Sequence, residues 1–249
     1  MIDVSYQDGV AILRMADGKA NTMSIDFCRE VTARCEEIRS SPAPAVVITG
    51  NDKIFSAGVD LLRLLEGGVP YVREFLPALS TMLATVFAFP KPVVAAINGH
   101  AIAGGCVLAC AADRRLMASN AGRIGVTELL VGVPFPPAAM EIMRCATAPQ
   151  YFEEAIFSGA TYPPPDAVVR GFVHDIVEPD GLLDRAVAAA KTLAALPPAA
   201  FALTKRQTRQ AALQGLDRKD IEASIEQIWM APETLGRIRD YVTRTLRKS

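Results

Sequence analysis

Residues 91–107 read Lys91-Pro92-Val93-Val94-Ala95-Ala96-Ile97-Asn98-Gly99-His100-Ala101-Ile102-Ala103-Gly104-Gly105-Cys106-Val107, and the order of these residues decides the fold. The apolar, partly β-branched run at 92–97 predicts a buried strand. Asn98-Gly99 predicts a turn, and Gly104 opens a helix running to about residue 111. The uncharged stretch 92–112 has the length of a bilayer span. Its asparagine, histidine and glycines divide it instead into strand, turn and buried helix. Small residues where a strand feeds a helix let a ligand approach the main chain closely. The first N–H groups of a helix also lack intrahelical acceptors, and the helix dipole favours negative charge beside them.

Upstream lies a second small-residue turn, Phe55-Ser56-Ala57-Gly58-Val59-Asp60, after a short buried strand at 45–49 and a loop read over 50–58, whose end it overlaps. The chain opens with a hairpin, 4–6 and 10–15, joined by Asp8-Gly9. Ser24 is placed to cap a helix whose Ile25, Cys28, Val31, Cys35 and Ile38 recur at helical spacing to about Ser40. A second helix is expected over 69–87, and a strand over 114–118. Strands alternating with helices predict an α/β layered fold. Beyond Pro137 the apolar segments 138–145, 151–157, 182–196, 199–213, 221–230 and 233–246 read as helices, interrupted by one strand at 173–177. Pro197-Pro198 marks a hinge. The organisation is therefore an α/β core over 1–196 and a helical region over 197–249 that leans on the core rather than folding alone.

The 249 residues are 51% hydrophobic and 21% charged, with a net charge of −1, which gives no excess of basic residues for nucleic acid. Five cysteines without a CxxC pair read as reduced, buried thiols in a cytoplasmic protein. His100 and His174 are the only histidines and neither has a neighbouring ligand, so no metal site is implied. No signal-peptide pattern or membrane span is read, and the protein is taken as soluble. GxGxxG and GxxxxGK[ST] are both missing, which removes the nucleotide-binding readings.

The two turns together carry a resemblance. The segment 50–61, Gly50-Asn51-Asp52-Lys53-Ile54-Phe55-Ser56-Ala57-Gly58-Val59-Asp60-Leu61, and the segment from Lys91 to Asp113 resemble, in register, two motifs of the crotonase (enoyl-CoA hydratase/isomerase) superfamily. Likeness extends to Lys19-Ala20-Asn21-Thr22-Met23 and to 170–177. The resemblance implies a spiral of ββα turns with a helical C-terminal trimerisation region, hence a homotrimer or dimer of trimers. It implies an acyl-CoA thioester substrate, with no cofactor beyond the CoA that the substrate carries. By motif position, it implies an oxyanion hole whose N–H groups belong to Ala57 and Gly104. Gly58, Val59, Asp60, Val107 and Phe135 would join those two in contacting substrate. This picture requires both amides to be free and to converge.

The resemblance also sets the acid–base question. Where hydratases of this family carry a first glutamate, this chain has Val107; the second position matches Glu128. Hydratases continue with PGxGG, whereas this chain reads Gly132-Val133-Pro134-Phe135-Pro136-Pro137, and prolines offer no N–H to an attacking water. Ala103 replaces the first of three glycines, a change expected to be mild. One glutamate suffices to move a proton from C2 to C4, so double-bond isomerisation is favoured. Hydration comes second, and thioester hydrolysis, decarboxylation or CoA binding without turnover remain open. His100 could approach the site or be structural; His174 reads as structural. Asp60 could order its turn or touch substrate, and Asp113 could cap or pair after its helix. Cys106 reads as a small buried thiol. Lys205, Arg206, Arg209, Arg218, Lys219, Arg237, Arg239, Arg244, Arg247 and Lys248 are either solvated helix faces or, for one or two, contacts to CoA phosphates. The pocket walls are expected from 61–65, 71–83 and 133–140.

Overall fold

The computed structural model describes residues 1–51, 53–216 and 218–246, with backbone alone for Lys219, Thr245 and Leu246. Asp52, Arg247 and Lys248 thus lie outside the described residues. The chain begins with β1 (Ile2–Gln7) and β2 (Val10–Met15), paired antiparallel. Asp8 and Gly9 join them at φ 52° and 82°, the two left-handed positions that a tight hairpin turn demands. Then come β3 (Thr22–Met23), α1 (Ile25–Ser40), β4 (Val46–Thr49), β5 (Ile54–Ser56), β6 (Gly58–Val59) and α2 (Leu61–Phe87). The next set is β7 (Val93–Ile97), β8 (His100–Ile102), α3 (Gly104–Cys110), β9 (Arg114–Ala118) and β10 (Ile124–Gly125). After these follow α4 (Pro137–Ala146), α5 (Phe152–Ser158), α6 (Pro164–Val169) and β11 (Asp175–Val177). The chain continues through α7 (Leu182–Ala194), α8 (Pro198–Thr208), α9 (Gln210–Gly215), α10 (Lys219–Met230) and α11 (Pro232–Leu246).

Each turn of this path gives one strand to a large sheet, short strands to a second layer, and then, in the first three turns, a helix. β2, β4, β7 and β9 are the first strands, and they lie side by side in a six-stranded sheet ordered β1-β2-β4-β7-β9-β11. Apart from the opening hairpin its pairings are parallel. The second layer holds the parallel sheet β10-β8-β5 and the pair β3-β6. β4 and β7 are buried along their whole length, as strands covered on both faces must be. This is the α/β spiral of ββα turns that the two motifs implied.

Ser24 caps α1 as expected, its Oγ accepting from Phe27 N at 3.1 Å. α2 starts eight residues earlier than the periodicity indicated, at Leu61. Asp60 caps it by accepting from Arg63 N at 3.1 Å, and the helix kinks at Gly68, which sits at φ 57°, ψ −147°. The expected helix over 199–213 is two helices meeting at Arg209 (φ −102°, ψ 7°). α9–α11 share the main core: Ala212, Ile225, Trp229 and Ile238 are buried with the sheet residues in one cluster.

Two of the basic residues grouped above fit neither reading offered for them. Lys205 and Arg209 turn inward, Nζ and a guanidinium nitrogen lying 2.7 and 2.9 Å from the two oxygens of Asp113. Asp113 also accepts from Val93 N at 2.8 Å, so this one carboxylate ties α8 and α9 to the start of β7. Burial lowers the Lys205 amine to about 8, against the opposing pull of Asp113. Arg218 is engaged with the neighbouring Asp220 at 2.7 Å. Of the cysteines, Cys28, Cys35, Cys106 and Cys110 are buried as expected, but Cys145 is exposed and all five are unpaired. Among the described residues no single helix is long and apolar enough to cross a membrane.

Candidate active site

Three segments leave the second layer at its C-terminal edge, where parallel sheets place their ligands. In the sheet β5-β8-β10, Ser56 pairs with Ala101, and Ala101 with Ile124. A few residues past those strands the chain reaches Val59, Gly104 and Glu128 respectively. Sheet register, not sequence distance, is what brings these positions together.

The first two loops touch. A Cβ built on Gly58 would lie 2.8 Å from Ile102 O and 3.1 Å from Gly104 N, so only glycine, here at φ 84°, permits this approach. Gly105 is held as tightly, since a Cβ there would meet Ser56 O at 2.3 Å. Gly104 is the first residue of α3, and its N–H has no intrahelical acceptor. Ala103, just before it, is anchored by its own N–H to Gly125 O at 2.8 Å.

The expectation for Ala57 is overturned. Its N–H donates to Ala20 O at 3.0 Å and is not free for a ligand. The Gly58 N–H is also spent, on Ser56 Oγ at 3.1 Å, and Asp60 N–H donates to Met23 O at 3.0 Å. Successive amides of an extended strand point to opposite sides. With Asp60 N–H directed at β3, Val59 N–H is turned away from β3, to the side on which Gly104 lies. Ala57 is therefore not a free donor, and the Val59 N–H is the candidate to stand beside that of Gly104. The Asp60 carboxylate is engaged within the protein: it caps α2 and accepts from Thr22 Oγ1 at 3.3 Å.

The replacement of glycine by Ala103 is not mild. Ala103 sits at φ 51°, ψ −124°, a conformation that L residues rarely adopt. Ala103→Gly is expected to raise stability by about 1 kcal/mol, the strain of such a residue outweighing the added freedom of glycine in the unfolded chain. The midpoint of urea unfolding checks this; an unchanged or lower midpoint would show that the loop bears no strain.

Glu128 begins a one-turn 3₁₀ helix after β10. It is 8% exposed and the only acidic residue in the buried class among the described residues. Its Oε2 has no hydrogen-bond partner. Burial raises the carboxyl from 4.5 to about 7, opposed in part by the Glu128 and Thr127 backbone amides. Val107 is fully buried on α3, and Phe135 is buried ahead of α4. Trp229 closes the back of that segment by donating from Nε1 to Pro134 O at 3.0 Å. Beside it, a cavity of about 230 Å³ is lined by Leu76, Pro77, Pro136 and Pro137, within two of the three expected wall segments. Arg73, Ser80 and, from α10, Glu222, Ile225 and Glu226 complete the lining, so α10 adds a wall outside the expected segments.

The other candidates are structural. His174 Nδ1 accepts from Arg115 N at 3.0 Å, and burial with Arg115 and Arg114 nearby lowers the ring to about 4, so it stays neutral. His100 Nδ1 accepts from Arg123 N at 3.2 Å. Burial pushes the Cys106 thiol well above its ordinary value, which makes it inert as a nucleophile. Ser56 is a functional candidate that motif register does not mark; its signal is a hydroxyl between Phe55 and Ala57, two residues before Gly58.

A spiral of ββα turns, with two amides and one carboxylate at a shared strand edge, defines a class of acyl-thioester enzymes. The family model for enoyl-CoA hydratase/isomerase matches residues 5–228, and the chain belongs to that family. A Mycobacterium tuberculosis protein described as probable enoyl-CoA hydratase EchA17 is 34% identical over 204 residues, covering 82% of this chain and 78% of its own. The rat mitochondrial enoyl-CoA delta isomerase 1 is 26% identical over 229 residues, covering 91% and 79%. The crystal structure of human mitochondrial delta3-delta2-enoyl-CoA isomerase superposes with a TM-score of 0.92, covering 100% of this chain and 99% of that one. At 23% identity that likeness speaks for the fold.

Proposed function

We propose that the protein is a Δ3,Δ2-enoyl-CoA isomerase. The Val59 and Gly104 amides hold the thioester oxygen, so that charge developing on it meets two fixed donors. Glu128 takes the proton from C2 of the 3-enoyl thioester, the electron pair shifts into a conjugated dienolate, and the same carboxyl returns the proton at C4. No water is consumed and nothing leaves. The substrate is an acyl-CoA, and no cofactor is needed beyond the CoA it carries. A trimer, as the family resemblance implies, in a reducing cytoplasmic setting compatible with five unpaired cysteines, completes the reading.

One observation carries this choice: among the described residues Glu128 is the sole acid in the buried class, while the family's other glutamate position is occupied by buried Val107. Water addition needs a second group to orient and activate water; the Val107 side chain has no proton to transfer, and Pro136 and Pro137 have no N–H to donate. The name of the 34%-identical relative supports a hydratase as the second reading. Purified protein given 3-enoyl-CoA and 2-enoyl-CoA separates the two. Migration of the double bond without 3-hydroxyacyl-CoA is expected; appreciable hydration would replace the isomerase with the hydratase. Tight acyl-CoA binding without turnover on either would leave a binding protein.

The pH dependence follows from the base. Proton removal needs the carboxylate, and burial places its ionisation near 7. The ratio kcat/KM is therefore expected to rise with pH and level off above about 7, reporting the free enzyme. A plateau already reached at pH 5 would mean that another group, or an unburied Glu128, takes the proton.

A further inference from the structure

Between the two loops, a buried hydroxyl links the main-chain groups that aim the Val59 amide. Ser56 is fully buried and Asn21 likewise. Ser56 Oγ donates to Asn21 O at 2.8 Å and accepts from Gly58 N at 3.1 Å. Asn21 is itself clamped: Nδ2 donates to Met15 O at 3.0 Å and Phe55 O at 3.1 Å, and Oδ1 accepts from Asp17 N at 2.8 Å. Asn21 stands at φ 47°, a left-handed position that asparagine tolerates. Its carbonyl accepts from Ser56 Oγ.

The consequence is geometric. Gly58 at φ 84° could swing, because glycine resists rotation less than any other residue. Its N–H is the one amide of the turn held by a side chain rather than by the main chain of β3. Fixing that N–H fixes the peptide plane entering Gly58. Together with the Asp60–Met23 bond on the far side, this restricts how the Val59 N–H can turn relative to Gly104.

We propose that Ser56 is a positioning residue for the oxyanion hole: its hydroxyl, anchored on the Asn21 carbonyl, holds the Gly58–Val59 turn in the orientation in which both amides address one oxygen. This rests on the assignment of Val59 and Gly104 as the donors. The residue touches neither substrate nor reacting atoms and acts through Gly58.

Ser56→Ala removes the link and leaves a packed methyl group in its place. Losing part of one oxyanion donor is expected to lower kcat for 3-enoyl-CoA by about 10–100-fold, less than full removal of a donor. KM should stay within a factor of about three, because the ground-state carbonyl gains less from the donors than the enolate does. Ser56→Cys, which keeps a weak donor and acceptor, should recover part of kcat. A lower melting temperature with kcat unchanged in Ser56→Ala would overturn the proposal, since a purely structural hydroxyl behaves that way. Glu128→Gln in parallel locates any failure. If it abolishes turnover while Ser56→Ala does not alter kcat, the positioning role alone is wrong. If Glu128→Gln also leaves turnover intact, the site assignment falls and the proposal with it.

Discussion

Glu128→Gln is expected to cut turnover of a 3-enoyl-CoA by about 10²–10⁴, the usual contribution of a positioned acid–base group. Above pH 7 the same variant should melt at a higher temperature than the parent. Glutamine keeps the shape of the side chain and cannot carry the proton from C2 to C4. The stability effect follows from burial without a partner for Oε2. Glu128 is an acid whose folded value, about 7, exceeds its reference of 4.5. The stability it contributes is complete below the lower value and is lost as pH rises through the higher one. At about 1.4 kcal/mol per unit, the buried charge costs about 3 kcal/mol at pH 8, part of which a neutral amide recovers. Thermal unfolding at pH 5 and pH 8 is the check. A gain at pH 8 that vanishes at pH 5 supports a base kept charged against its surroundings; equal shifts at both would trace the effect to packing. Loss of activity and gain in stability at one residue is the signature expected of a site strained for function.

The largest loss of stability is expected at Asp113. Its two oxygens meet Lys205 and Arg209, whose side chains are 7% and 13% exposed, and one of them also accepts from Val93 N. Removing one partner of a buried ionic group leaves charges without compensation and typically costs about 3–5 kcal/mol. Asp113→Ala leaves two such cations. In a chain of this size the expected fall in melting temperature is about 10 °C. Asp113→Asn should lose less, because it retains an acceptor for the Val93 amide. A drop of only a degree or two in Asp113→Ala would show that both cations swing out to water, and that α8 and α9 are held by apolar packing alone.

Much of the fold was legible because local chemistry and tertiary demand agree. Asp8-Gly9 fits the only turn that joins β1 to β2, and Ser24 with five apolar residues at helical spacing defines α1. Where they disagree the sequence misleads. Gly67-Gly68 and Pro70 read as a helix boundary, yet the helix resumes after a single kinked residue because Val72, Phe75, Leu76 and Leu79 are needed in the core. At Arg209 the opposite holds: helical periodicity continues while the helix breaks, with the guanidinium reaching into Asp113. The strands of two or three residues in the second layer are too short to show alternation, and only their neighbours define them. That layer is what builds the site, so its location had to come from motif register. Register identified Gly104 and Glu128 as candidates. It placed the other donor at Ala57 because the direction of an amide depends on ψ and φ around Gly58, which no residue type announces. The inward turn of Lys205 and Arg209 was illegible for a related reason: composition cannot tell an outward cation from one that a half-buried aspartate has claimed.

The groups that would grip the thioester oxygen belong to the peptide chain itself, and no point substitution at Val59 or Gly104, short of proline, deletes them. Heritable variation can therefore rewrite the side chains at 107, 128 and 135 while the electrophile-holding frame persists unchanged. One such frame suits more than one reaction, which fits a family whose members carry both hydratase and isomerase names.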